Sequence, residues 1–530
     1  MTPRRPGVRL FLLFFGFYAL TASGNPFRVP DEFEVYFQAE HLVDAGDISV
    51  PQTLAIRDAG GPIFFGEFGQ DAKPYAPYGP GVAFLILPFH LAGRAVAAWA
   101  GVPRAPLPAG IPWELVAGGV TALAMAFAAA LAVAGCHRAC LALGASGDRA
   151  RLLAVMLGAC TILWPYGKAL YCEAWLAAAF AWTAALLLGL SAGSPASPGA
   201  PSASSGSAVA SAFRLNVAVA ALLIAGAIVA KPTAIVVAPA FVVAVLLDSR
   251  GTTRGRSLTA AALIAGIAAA AAAHVAWNVA RFGRPLDFGY NLAGMIPYPP
   301  ARTFIPEQIP LGLFVQLLTP GKSLFVWAPV SLLSLLSLRA CWQRERGLTA
   351  GLIAALVSSL IFYAAFFLPE GGYSHGPRHL VPLVPLLMLP LAVRGVDVPH
   401  RALTACAVVG FTIASLAVTV SFFEDQSPVQ IGSRIVSPYY DRVEPGVGEV
   451  NVRYRTDYIP FKFALTSGQW LSPARPAGNG PDFFALHLVQ ARRALPGGAA
   501  IPAWLPWAVS LPWFALVLVM AALSLRQATG

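Results

Sequence analysis

The ionisable side chains of this chain gather at the ends of its apolar runs. Asp31, Glu32 and Glu34 follow the first run within four residues. Lys168 and Glu173 lie in "WPYGKALYCEAW" (164–175), between two later runs, and Lys231 stands alone between two more. Arg281, Arg284 and Asp287 lie in "NVARFGRPLDFGYN" (278–291), Lys322 in "TPGKSLFVWAP" (319–329), and His375, Arg378 and His379 in "PEGGYSHGPRHL" (369–380). Ionisable groups near the membrane plane are functional candidates. A carboxylate there can take the proton of an attacking hydroxyl as general base. Lys and Arg held in a low-dielectric site can stabilise the charge that develops on a departing phosphate, Arg with bidentate geometry. The set as a whole suits transfer of a group from a lipid phosphate.

Each candidate has a plainer reading beside this one. Asp31 with Glu34 matches a capping box for a helix that Gly46 would close. Lys168 and Glu173 fit an interfacial ion pair, and Lys322 fits a side chain snorkelling from a helix start. His375 and His379 have helical spacing, but Pro377 between them disfavours a metal site. In "YGPG" (78–81), Gly79 and Gly81 permit a tight chain path.

The elements that must position these residues are membrane helices. The 530 residues are 57% hydrophobic and 12% charged, where a soluble globular protein carries about 25% charged residues. Apolar runs near 8–23, 114–136, 151–167, 173–192, 214–230, 232–247, 257–280, 323–340, 349–368, 378–394, 402–422 and 504–525 predict an all-α polytopic protein of about twelve spans by the length rule. Lys231 alone separates two of these runs, which predicts either a tight hairpin or one kinked helix. The first run, with its basic start, also has the shape of a signal peptide; an uncleaved signal-anchor is the preferred reading. The six Cys form no CxxC pair and sit in or beside apolar runs, so no disulfide framework is expected.

Charge placement orients the chain. With the N-terminus in the cytoplasm and 81–100 an interfacial helix, the cytoplasmic segments carry Arg4, Arg5 and Arg9; Arg138 and Arg149; Arg250, Arg254 and Arg256; Arg339, Arg344 and Arg346; Arg394 and Arg401; and Arg526. That is the positive-inside pattern; a spanning 81–100 would invert it. The formal charge of +11 is thus accounted for by topology, and no nucleic-acid partner is expected. The C-terminus falls in the cytoplasm and the candidate site outside a plasma or inner membrane. Residues 24–80, outside, carry nine acids and three bases. Residues 281–320 form a Pro- and aromatic-rich loop, and 191–208 a low-complexity cytoplasmic loop. Within 423–503, "EVNVRYRTDYIPFKF" alternates like a strand, which predicts a small mixed outer segment.

Taken together, these pieces resemble the GT-C superfamily of polyprenyl-phosphate-dependent glycosyltransferases, in the style of bacterial aminoarabinose transferases and protein O-mannosyltransferases. "PDEFEVYFQAEHLVDAGDISVP" (30–51) is similar to the family's first-loop pattern, and "DAKPYAPYGPGVAFLILPFHLAG" (71–93) to the segment leading into its juxtamembrane helix. "YGKALYCEAW" resembles its second acidic site. "GKSLFVWAP" and "GYSHGPRHLVPLVPL" resemble blocks of many bacterial members. The likeness runs through roughly residues 8–395. It departs at Pro77, where members often carry a basic residue, and at Ala174, where Pro usually follows the second acid.

The resemblance implies a catalytic module over 1–422 whose first outer loop, 24–113, holds juxtamembrane helices. An extracytoplasmic segment (423–503) and a last helix with its tail (504–530) follow. It implies transfer of a sugar from a polyprenyl-phosphate donor to a lipid, glycan or protein acceptor, with inversion. Asp31 becomes the base, with Glu32 and Glu173 beside it. Lys73, Lys168, Lys322 and Arg378 become donor-phosphate ligands, and Tyr36, Tyr78, Arg281 and His375 substrate contacts. Metal dependence stays open: either a divalent cation shared by Asp31, Glu32 and Glu173 or the outer-face Lys and Arg side chains could supply the positive charge. No Gly-rich fingerprint marks a nucleotide-sugar site. The rival classes are a transporter of lipid-linked substrates and a non-catalytic assembly protein.

Overall fold

A computed structural model describes residues 6–25, 29–58, 66–192, 204–250, 252–290, 303–372, 374–419, 429–431, 434–436, 440–443, 451–454, 482–495, 497–512 and 515. Among these, seven helices are long and apolar enough to cross a membrane: Gly81–Trp99, Ile111–Ala142, Glu173–Leu190, Ser211–Ala230, Thr253–Phe282, Arg346–Ala365 and His400–Thr419. The protein is an all-α, multi-pass membrane protein. By length and apolarity the Gly81–Trp99 helix, read from charge as interfacial, also belongs to this set. Most of the expected last span, 504–525, and much of 423–503 lie outside the described residues, as does 291–302 of the aromatic-rich loop.

The centre of the bundle is built from small side chains. The Leu123–Ala142 helix packs between Pro6–Leu20 and Glu173–Ala192, and Ala124, Ala128, Ala132 and Ala139 on it are fully buried. In lipid, close backbone approach replaces the hydrophobic driving force between helices. Gly410 shows the constraint: a Cβ there would stand 2.1 Å from the Cys160 carbonyl oxygen.

Several apolar runs are not single helices, and proline is the reason. Run 378–394 holds Pro382, Pro385 and Pro390; each removes an amide donor. It folds as the 3-10 turn Arg378–Leu383, the short helix Val384–Leu387 and the 3-10 turn Leu389–Ala392. Run 323–340 is divided at Pro329 into Leu324–Trp327 and Val330–Leu336, and again at Ser337 before Leu338–Trp342. Of the two readings at Lys231, the hairpin is found. The Ser204–Ala230 helix ends there, Pro232–Val236 turns as 3-10, and Ala238–Leu246 returns. Arg214 on the first arm and Asp248 after the second line one cavity, so both arms reach the same end.

Strands are few. Glu67–Phe68 pairs antiparallel with Pro74–Tyr75. Val429–Ile431, Arg434–Val436, Tyr440–Val443 and Asn451–Tyr454 form a four-stranded antiparallel meander; the last lies within the stretch whose alternation predicts a strand. The chain then returns to the bundle. Phe484 donates its N–H to the Ala22 carbonyl at 3.0 Å and packs where Cβ atoms at Gly24 and Gly119 would be.

Candidate active site

Asp31 is not a helix cap. The Pro30–Ala45 helix takes extended Val29 as its N-cap (φ −143, ψ 157), with no side-chain cap bond. Pro30 fills the first turn, where its missing N–H would have been unpaired anyway. The expected capping box is therefore absent, although Gly46 closes the helix as expected, in the left-handed region (φ 76) with its N–H on the Leu42 carbonyl. The Asp31 side chain stays in the first turn, favoured by the helix dipole, and turns away from its own helix. Its Oδ1 accepts a hydrogen bond from Arg378 Nη1 at 3.0 Å, and it remains 20% exposed.

Arg378 joins three parts of the chain. Its Nε lies 3.5 Å from Glu173 Oε1, and its guanidinium lies over the Tyr171 ring, 5.0 Å from the centroid. Lys231 Nζ donates to the same Glu173 oxygen at 2.7 Å. Glu173 itself is buried, whereas Arg378 and Lys231 are 15% and 18% exposed. The resulting chain, Asp31–Arg378–Glu173–Lys231, alternates in sign and opens at both ends.

Local sequence explains how each cation gets there. Lys231 precedes a proline, which excludes the α region, and it is extended (φ −144, ψ 112). The "YGPG" turn packs backbone against backbone beside it: a Cβ at Gly79 would stand 2.5 Å from the Val229 oxygen, and one at Gly81 2.6 Å from the Ala230 nitrogen. Close approach, more than turn geometry, requires these glycines. The loop before Arg378 uses left-handed Gly371, Gly372 and Gly376 (φ 82, 64 and 52). Buried Lys322 grips that loop, donating to the Gly372 and Ser374 carbonyls at 3.0 and 2.6 Å.

The remaining predicted site residues divide into neighbours of the cluster and residues turned elsewhere. Glu32 is buried and accepts from the Leu170 N–H at 3.1 Å. Burial first, and the Asp31 charge second, hold the Tyr78 and Tyr171 phenols well above their usual range, so both stay neutral and able to donate. Buried His375 lies beside Trp327, 5.6 Å between centroids, and its carbonyl accepts from Tyr166. Tyr36 instead donates to Glu114 at 2.6 Å. Arg281 donates to the Ala76 carbonyl at 2.9 Å and is flanked by Trp277 and Phe282; it holds the first loop in place.

Three predicted phosphate ligands have other partners: Lys322, bound to the loop carbonyls of Gly372 and Ser374, and Lys73 and Lys168. Lys73 pairs with Asp47 at 2.8 Å on the surface. Lys168 is sealed: its Nζ lies 2.7 Å from Asp482 Oδ2 and donates to the Val418 and Asp482 carbonyls. The interfacial pair expected between Lys168 and Glu173 is thus not formed; Lys231 takes that role toward Glu173. Lys231, noted in the sequence among the ionisable groups at the run ends, was given no role there, and its Lys-Pro break between two apolar runs was the available signal. Asp31, Glu32 and Glu173 do not converge as cation ligands would, because Arg378 stands between the first and the last. Nor, among the described residues, do any three His, Cys, Asp or Glu side chains group as a metal site.

Comparison with protein-family models, with curated proteins and with solved structures finds no match to this chain.

Proposed function

We propose that this protein is a membrane glycosyltransferase with a GT-C-type bundle of about twelve helices. It would move a sugar from a polyprenyl-phosphate donor to an acceptor hydroxyl at the extracytoplasmic face. The observation that supports this most is the state of Asp31: a partly exposed carboxylate, free of capping, against a guanidinium that reaches a second, lysine-bound carboxylate.

In this reading the acceptor oxygen attacks the anomeric carbon as its proton passes to Asp31. The bond from that carbon to the phosphate oxygen breaks, and polyprenyl phosphate leaves. A single displacement inverts the centre. Charge growing on the phosphate is met by Arg378 and Lys231, held by Glu173 before the reaction begins and so needing little reorganisation. Tyr78 and Tyr171 supply neutral donors beside the same carboxylate. Glu32 orders the Leu170 turn and acts as a positioning residue. Lys322 acts the same way, through the glycine-rich loop that delivers Arg378.

The test uses the purified full chain in nanodiscs with a panel of polyprenyl-phosphate sugars and candidate acceptors, following free polyprenyl phosphate. Turnover that disappears in a well-folded Asp31→Asn variant supports the reading. Equal turnover in both proteins removes Asp31 as base.

A further inference from the structure

A cavity of about 770 Å³ lies at the other end of the bundle. Arg214, which lines it, is 17 residues before Lys231 on one helix, or about 26 Å at 1.5 Å per residue. The cavity is held between the two arms of the Lys231 hairpin, and Leu187, Phe241, Val245, Leu352, Leu386 and Leu389 supply apolar wall. Its size falls within the range of ligand sites, roughly 300–1,000 Å³.

Its rim is basic. Arg214, Arg250, Arg254 and Arg256 all line it, with Asp248 as the one acidic lining residue. Arg250 reaches Asp248 and Glu345, and Arg256 donates to the Asp248 carbonyl at 2.7 Å. These two are held by the protein. Arg214 and Arg254 make no ion pair among the described residues, and both are exposed. An apolar chamber between helices with two unpaired guanidiniums at its mouth matches one kind of molecule: a lipid with an apolar chain and an anionic phosphate. Basic pockets between membrane helices on the cytoplasmic side bind such headgroups, and this is the end that the charge pattern assigns to the cytoplasm.

We propose that this cavity is a binding site for an anionic glycerophospholipid, with an acyl chain between the hairpin arms and the phosphate at Arg214 and Arg254. The site is independent of the Asp31 cluster and of the reaction proposed there.

The test is lipid retention by the full-length protein, read by native mass spectrometry after exchange in mixed phosphatidylglycerol and phosphatidylcholine micelles. Wild type should retain phosphatidylglycerol preferentially at one site. Arg214→Ala with Arg254→Ala, both at exposed positions, should lower that preference about thirtyfold, from the attraction that two basic side chains add at a membrane surface. Ala244→Phe, which fills the chamber and leaves the arginines, should abolish retention, with a thermal melt to check folding. Equal retention of the two lipids by wild type, or an unchanged preference in the double arginine variant, overturns the proposal. Displacement of phosphatidylglycerol by an equal concentration of polyprenyl phosphate also overturns it and reassigns the cavity to a prenyl chain.

Discussion

Two buried ion-pair clusters lie near each other in this protein and differ in one respect. Lys168 and Asp482 are 2% and 1% exposed, and Asp482 is further held by Ser23 at 2.7 Å and His487 at 2.7 Å. Asp31, Arg378 and Lys231 are each between 15% and 20% exposed. Both clusters join residues far apart in sequence. Only the second leaves charged atoms that a substrate could reach. Burial of charge is weak evidence for function, because sealed pairs also form where the chain must be fastened. Access separates the two cases.

That contrast can be broken by experiment. Asp31→Asn should lower turnover by about 10²–10⁴-fold, the usual contribution of a general base, with little change in melting temperature; a large fall in stability would make Asp31 a second clasp. Lys168→Met should do the opposite. It leaves Asp482 buried without its cation, which costs about 3–5 kcal/mol, read as a lower melting temperature in detergent.

Arg378→Lys keeps the charge but cannot span Asp31 and Glu173 together. Its turnover should fall by about 10²-fold, as for a misplaced catalytic group, and unchanged turnover would remove the bridge from the mechanism. Tyr36→Phe, which leaves Glu114 without its donor, should destabilise by about 1–3 kcal/mol and leave KM for the donor unchanged.

The smallest effect belongs to the surface pair of Lys73 and Asp47. Partial burial raises the Asp47 carboxyl, but hydrogen bonds from Lys73 and Ser49 outweigh it and hold the group well below its usual 3.8. A depressed carboxyl contributes stability above its unfolded pKa and loses it as pH falls toward the folded value. Lys73→Met should therefore melt slightly lower than wild type at pH 6, with the difference closing below pH of about 4 and shrinking in salt.

Much of this was legible in the sequence, but unevenly. Apolar runs gave the helices Glu173–Ala192, Arg346–Ala365 and His400–Thr419 within a few residues, because length and hydropathy are local properties. The end of the Asp31 helix at Gly46 was legible. The freedom of Asp31 from capping was not, since that depended on Pro30 moving the helix start back to Val29. Proline-dense runs read as spans and folded as short pieces, because a rule of length and hydropathy does not weigh the amide donors that proline removes. The partners of the lysines could not be read at all. Nothing near Lys168 points to Asp482, 314 positions away, and nothing near Glu173 chooses Lys231 over Lys168.

The Lys168–Asp482 clasp also bears on how this chain can be shortened. A cut at residue 422 looks natural, since it leaves the apolar runs of the larger part whole. It would remove Asp482, strand the buried Lys168 ammonium two residues from the Leu170 amide that binds Glu32, and strip Phe484 from its seat on Gly24 and Gly119. Asp482 and Phe484 are thus a buckle for the Asp31 end of the bundle, and a truncated protein would lose that end's shape while keeping every residue proposed for its chemistry.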